Sequence, residues 1–145
     1  MTLPVIKSAL LVCVTLGTMQ VQANDNMDIT LNGISNSTQQ VSDGQIVGHG
    51  RVSTQQAHSG YQVWLNAERN GDAPHRYILE GKNNRQHKLY VVIGQEGWRP
   101  DMKDGLGIIK QTRDVQAQFD IMANGNQNAP VDTYVIRVQG RYLEP

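Results

Sequence analysis

The last stretch of the chain, Phe119–Pro145, reads FDIMANGNQNAPVDTYVIRVQGRYLEP. Phe119, Ile121 and Ala123 recur at every second residue, Asn124-Gly125 opens a polar turn carrying Pro130, and Tyr134, Ile136 and Val138 resume the two-residue period. Successive side chains of a strand point to opposite faces, so the stretch reads as two half-buried strands joined by a turn. Tyr134, inside Asp132-Thr133-Tyr134, stands where the tyrosine corner of an immunoglobulin-like sandwich opens its sixth strand. Trp64, on an earlier strand over residues 61–67, stands where such sandwiches carry a core tryptophan. A seventh strand should follow, but only seven residues remain beyond Val138.

The opposite end of the chain has a different character. Lys7 precedes the apolar run Ala9 to Leu16, and Val21-Gln22-Ala23 has the small residues of a secretory cleavage site. The run is shorter than the roughly 20 apolar residues needed to span a bilayer. Residues 1–23 therefore read as a signal peptide, and residues 24–145 as one mature domain of 122 residues (145 minus 23). The single cysteine, Cys13, lies in the leader, so the mature chain has neither a disulfide nor a thiol for catalysis or metal binding. Without Lys7, 12 Lys and Arg face 13 Asp and Glu, and no basic tract suggests nucleic acid.

Between the ends, short apolar-alternating runs are punctuated by turns. Ile29 and Leu31 mark a first strand, and the polar segment 33–44 follows as a loop containing the sequon Asn36-Ser37-Thr38, read as a capped turn. Residues 45–54 form a second strand, whose Gly48 and Gly50 signal a bulge or a close backbone approach. Strands over 61–67, 76–80 and 89–93 come next, the last two as a hairpin. Residues 94–114, with four glycines and Pro100, are irregular. No segment of ten residues combines a 3.6-residue period with helix caps, so the expected class is all-β.

No constellation for catalysis emerges. His49, His58, His75 and His87 form no HxH or HExxH pattern, and His58 and Ser59, as strand neighbours, point to opposite faces. Asp101, Asp104, Asp120 and Asp132 lack the spacing of a calcium loop, and Gly105-Leu106-Gly107 precedes no helix. The expectation is a binding protein, not an enzyme, with no cofactor and no metal. Trp64 is assigned to the core. Trp98, between Gly97 and Arg99-Pro100, is the candidate exposed aromatic for ligand contact.

Several segments together resemble the AfaD/DraD invasin family of chaperone-usher pilus subunits, and within it the SafD-type tip subunits of atypical fimbriae. They are Asp43-Gly44, Gly50-Arg51, Ala57-His58-Ser59-Gly60-Tyr61 with Val63-Trp64, Gly97-Trp98 with Pro100, Phe119-Asp120, Met122-Ala123 and Gly125-Asn126-Gln127. The resemblance implies an incomplete immunoglobulin-like sandwich lacking its last strand, which a periplasmic chaperone fills during transit and a neighbouring pilus subunit fills in the fibre, after passage through an outer-membrane usher. By strand parity Ile29 and Leu31 would line one side of that groove, and Tyr134, Ile136 and Val138 the other. Only Asn24–Asn26 separate the cleavage site from the first strand, so the chain would accept a donor strand and donate none. Two cysteines of family members fall here at Thr54 and Tyr142, implying a bridge replaced by packing.

The expected role is thus a pilus-tip adhesin or invasin, secreted through the periplasm to the cell surface, where it meets a host-cell receptor. The alternative is a freestanding secreted sandwich that binds carbohydrate.

Overall fold

The computed structural model describes residues 7–12, 18–21, 27–34 and 38–145; the cleavage site at residues 21–23 and the sequon at 36–38 lie largely outside this set. Its strands are β1 (Lys7–Val12), β2 (Thr18–Val21), β3 (Met27–Gly33), β4 (Gln40–Val41), β5 (Ile46–Thr54), β6 (Gly60–Leu65) and β7 (Glu68–Arg69). They continue as β8 (Arg76–Glu80), β9 (Lys88–Gly94), β10 (Arg99–Pro100), β11 (Ile108–Gln111), β12 (Gln116–Ala123), β13 (Gln127–Asn128) and β14 (Val135–Leu143). Among the described residues there is no helix.

Two sheets face each other. One has the order β1-β14-β6-β11-β10 and the other β2-β3-β5-β12-β9-β8-β7, while β4 and β13 form a separate ribbon. The two strands of the C-terminal stretch belong to different sheets: β12 pairs with β5 and β9, whereas β14 pairs with β6 and β1. The intervening turn therefore carries the chain across the sandwich. The expected hairpin is present as β8–β9, in register from Arg76 opposite Val92 to Glu80 opposite Lys88.

Alternation places Met27, Ile29 and Leu31 of β3, Val52 of β5, Phe119 and Ile121 of β12, and Ile136 and Val138 of β14 in one apolar core. The glycines of β5 serve this packing. A Cβ on Gly50 would lie 2.2 Å from the Phe119 ring, so only glycine leaves room for the aromatic side chain. The register between β12 and β5 slips between Ile121 and Met122, whose partners are Gly48 and Ile46, a bulge that accommodates one extra residue.

The sheet formed by β14, β6 and β11 departs from the sequence reading in one feature and refines it in another. The irregular segment contains a paired strand, β11, with Ile108 opposite Val63. Trp64 is buried at 8% exposure but lies outside the core cluster. Tyr61, Val63 and Leu65 occupy the core face of β6, so the two-residue period turns Trp64 to the outer face. There its Nε1 donates to Gln139 Oε1 at 2.9 Å, and the loop leading to β11 covers it. Gly107, at φ +65°, runs so close that a Cβ would lie 2.7 Å from Trp64 Cβ and 1.9 Å from the Val63 carbonyl oxygen.

Candidate functional site

The sequence-predicted residues Ile29, Leu31, Ile136 and Val138 are all fully buried, on β3 and β14, which meet across the sandwich. β14 pairs with β6 along one edge. Its other edge, from Val135 to Gly140, is paired antiparallel with residues 7–12, with Lys7 opposite Gly140, Leu11 opposite Ile136 and Val12 opposite Val135. β1 also contacts β3, whose own outer edge is lined by β2 from Thr18 opposite Asn32 to Val21 opposite Ile29. Both edges of the seam between β3 and β14 are thus covered by segments from the first 23 residues.

The fifth predicted residue, Tyr134, lies one position before the paired segment and performs a different task. Its hydroxyl donates to the Pro130 carbonyl at 2.5 Å, four residues upstream, which is the hydrogen bond of a tyrosine corner. Burial, reinforced by the charge of Asp132, pushes the phenol up to about 12, so it stays a donor at any physiological pH. Beside it, under the β4–β13 ribbon, an apolar hollow of about 40 Å³ is lined by residues including Val41, Val47, Leu89, Ala129 and Tyr134.

Asp132, two residues earlier, organises this corner in a way the sequence did not reveal. Its carboxylate accepts from the backbone N–H of Asn83 (3.1 Å), Asn84 (3.1 Å) and Thr133 (2.6 Å), from Asn83 Nδ2 (2.9 Å), and lies 2.9 Å from His87 Nδ1. Enclosure alone would raise its pKa. The donors from Asn83, Thr133, His87 and Asn84 more than offset this and hold it down to about 2. Apart from the adjacent Thr133, the partners lie 45 to 49 residues away in the chain, so no local motif points to them.

The aromatic candidate Trp98 is not an exposed anchor. It is half-buried against the core, its ring meeting Phe119 edge-on at 5.9 Å, and its Nε1 donates to the Gln118 carbonyl at 2.7 Å. Trp98 is thus half-buried and not the fully exposed aromatic expected from the sequence, with its polar tip and one ring edge engaged by the fold. His58 and Ser59 also part company. The His58 ring nitrogens lie 2.7 Å from the Gln56 and Asp114 carbonyl oxygens, and Ser59 Oγ donates to the Glu144 carbonyl. Among the described residues no group of three or more His, Cys, Asp or Glu could hold a metal ion.

Buried seam, tyrosine corner and two facing sheets define an immunoglobulin-like sandwich domain of the class found in pilus subunits. The chain belongs to the family described as the Enterobacteria AfaD invasin protein, whose model matches residues 37–140. It is 35% identical over 120 residues to Protein AggB of Escherichia coli, covering 82% of each chain. Among solved structures it is similar to the Salmonella SafD adhesin, with a TM-score of 0.79 and 30% identity over 83% of this chain and 86% of that one. It is also similar to HdaB, the minor tip subunit of the E. coli Hda pilus, with a TM-score of 0.77 and 30% identity over 83% and 85% of the two chains. The chain is accordingly an adhesin or invasin subunit of a cell-surface fimbrium.

Proposed function

We propose that the chain caps the tip of its fimbria, accepting a donor strand between β3 and β14 and donating none. The observation that carries this reading is the pairing of β14 from Val135 to Gly140 with residues 7–12, which belong to the apolar leader. Cleavage after Ala23 removes that strand and leaves a row of unpaired backbone groups beside Ile29, Leu31, Ile136 and Val138. An exposed edge of this kind is a template for aggregation unless another chain covers it. The replacement strand would enter in the register that residues 7–12 occupy, antiparallel to β14, supplied first by a periplasmic chaperone and then, at the outer-membrane usher, by the neighbouring subunit. The similarity to a minor tip subunit supports the terminal position. The activity is attachment to a host-cell receptor or entry into the cell, by binding and without chemistry on the ligand.

Residues 24–145 produced alone, followed by amide exchange across Val135–Leu143, test this directly. Fast exchange or aggregation, reversed by a chaperone or an added donor strand, is the expected result. A soluble monomer with both edges of β14 protected would mean the sandwich closes by itself, and would favour the freestanding carbohydrate-binding module.

A further inference from the structure

The outer face of β3, β5 and β12, on the far side of the sheet from the core, carries a polar hollow of about 240 Å³ that the donor-strand reading leaves unused. Pairing sets its side chains in two rows across the strands. Thr30, Arg51 and Gln118 stand opposite one another, and Asn32, His49 and Asp120 form the next row. Every side chain lining the hollow is polar except the buried Phe119 at its floor, where Gly50 contributes bare backbone.

Two observations give this face a charge preference. Asp120 is buried although it points away from the core, and both its oxygens are held: His49 Nδ1 lies 2.7 Å from Oδ1, and Gln95 Nε2 donates to Oδ2. Its charge is thereby engaged within the protein, and the imidazole, half exposed at 51%, is held in place with Nε2 left over. Arg51 is exposed and its side chain makes no hydrogen bond or ion pair among the described residues, so its fork of N–H donors is the open charge of the hollow. A peptide partner would need apolar pockets for anchoring side chains, and the rim offers none. A ring carrying hydroxyls and one carboxylate fits a lattice of hydroxyl, amide, imidazole and guanidinium groups on strands about 4.8 Å apart.

We propose that this face binds an acidic saccharide, the Arg51 guanidinium gripping the sugar carboxylate in a bidentate pair while Thr30, Asn32 and His49 hydrogen-bond the hydroxyls. The proposal rests on the reading of the chain as a surface adhesin and assigns that adhesin a ligand class. The face lies on the opposite side of the β3–β5–β12 sheet from the seam, so it stays open when a donor strand is in place. The carboxylate could belong to a sialic acid or to a uronic acid, which share the same recognition chemistry.

The test uses whole fimbriae carrying the full chain or its Arg51→Ala and Arg51→Lys variants, with incorporation verified by immunogold labelling. Sialyllactose, a hyaluronan oligosaccharide and uncharged lactose are titrated by saturation-transfer NMR. Binding of an acidic probe in preference to lactose is expected, weakened about tenfold or more by Arg51→Ala and by less with Arg51→Lys, which keeps the charge and loses the fork. Whichever acidic probe responds identifies the source of the carboxylate. With label present, equal binding of lactose, no binding of any probe, or an unchanged Arg51→Ala variant overturns the saccharide site alone. Absence of label from the fimbriae overturns the adhesin reading and this proposal together.

Discussion

The two sides of β14 are held by opposite means. At its start, the corner around Tyr134 and Asp132 is closed by particular groups of the same domain: the Tyr134 hydroxyl on Pro130, five donors around one carboxylate, the Lys82 N–H on the Thr133 carbonyl at 2.7 Å, and a bridge between Gly81 and Tyr134. Along its outer edge the partner is a backbone ladder with residues 7–12. A ladder makes the same hydrogen bonds with any strand, and an apolar floor of Ile136 and Val138 accepts any alternating apolar sequence of suitable size. The corner is specific and permanent. The edge is generic, and on the donor-strand proposal its occupant is exchanged.

Substitutions on each side should separate these two modes. The largest effect is expected from Ile136→Asp, which places an unpaired charge at a fully buried position of the seam. It should cost about 3–5 kcal/mol and abolish accumulation of the subunit with or without a donor strand, read as the yield of folded protein. Gly81→Ala comes next. Its Cβ would lie 2.1 Å from Asp132 Oδ2 and 2.8 Å from the Asn84 carbonyl, so the corner must shift; overpacking of this kind costs about 1–3 kcal/mol in urea unfolding. If donor binding survives in this variant, the corner and the edge are energetically separate.

Tyr134→Phe removes one hydrogen bond and leaves the ring in place, for a loss of about 1 kcal/mol, seen as a fall in Tm of a few degrees. The smallest effect at neutral pH belongs to the ionisation of Asp132. Its pKa is depressed from 3.8 to about 2 in the folded chain, so its contribution is fully present above pH 4 and is lost as the pH falls from there toward 2. Amides of Asn83 and Asn84 should lose protection across that window before those of β12 do. Uniform loss across the domain would assign acid sensitivity elsewhere.

The strands were legible where burial is one-sided. Ile29 with Leu31, and Tyr134, Ile136 and Val138, alternate because one face meets the core, and each proved to be buried. The corner was legible from Asp132-Thr133-Tyr134 because its defining hydrogen bond spans four residues. Trp64 was legible as buried from its mid-strand position, and its parity, opposite to that of Tyr61 and Val63, set it on the other face of β6; the loop that covers it there is one that no local pattern announces. β11 was hidden among glycines for a related reason, since its pairing with β6 is a tertiary contact and not a propensity. His49 and Asp120 are 71 residues apart and become neighbours only through the β5–β12 register.

Thr54 and Tyr142, where the family resemblance implies a bridge, are both buried, on β5 and β14 of facing sheets. The Thr54 N–H and the Tyr61 hydroxyl both reach the Val115 carbonyl, and Tyr61 stands opposite Tyr142, so packing and hydrogen bonds close this end of the sandwich. Folding of residues 24–145 therefore transfers no electrons. The subunit has no call on the cell's oxidising enzymes, and neither scarce oxygen nor a reductant in the medium should change how much of it reaches the surface. On the proposed donor-strand reading, supply of this subunit would be set by the availability of a partner strand and not by the redox state outside the cytoplasm.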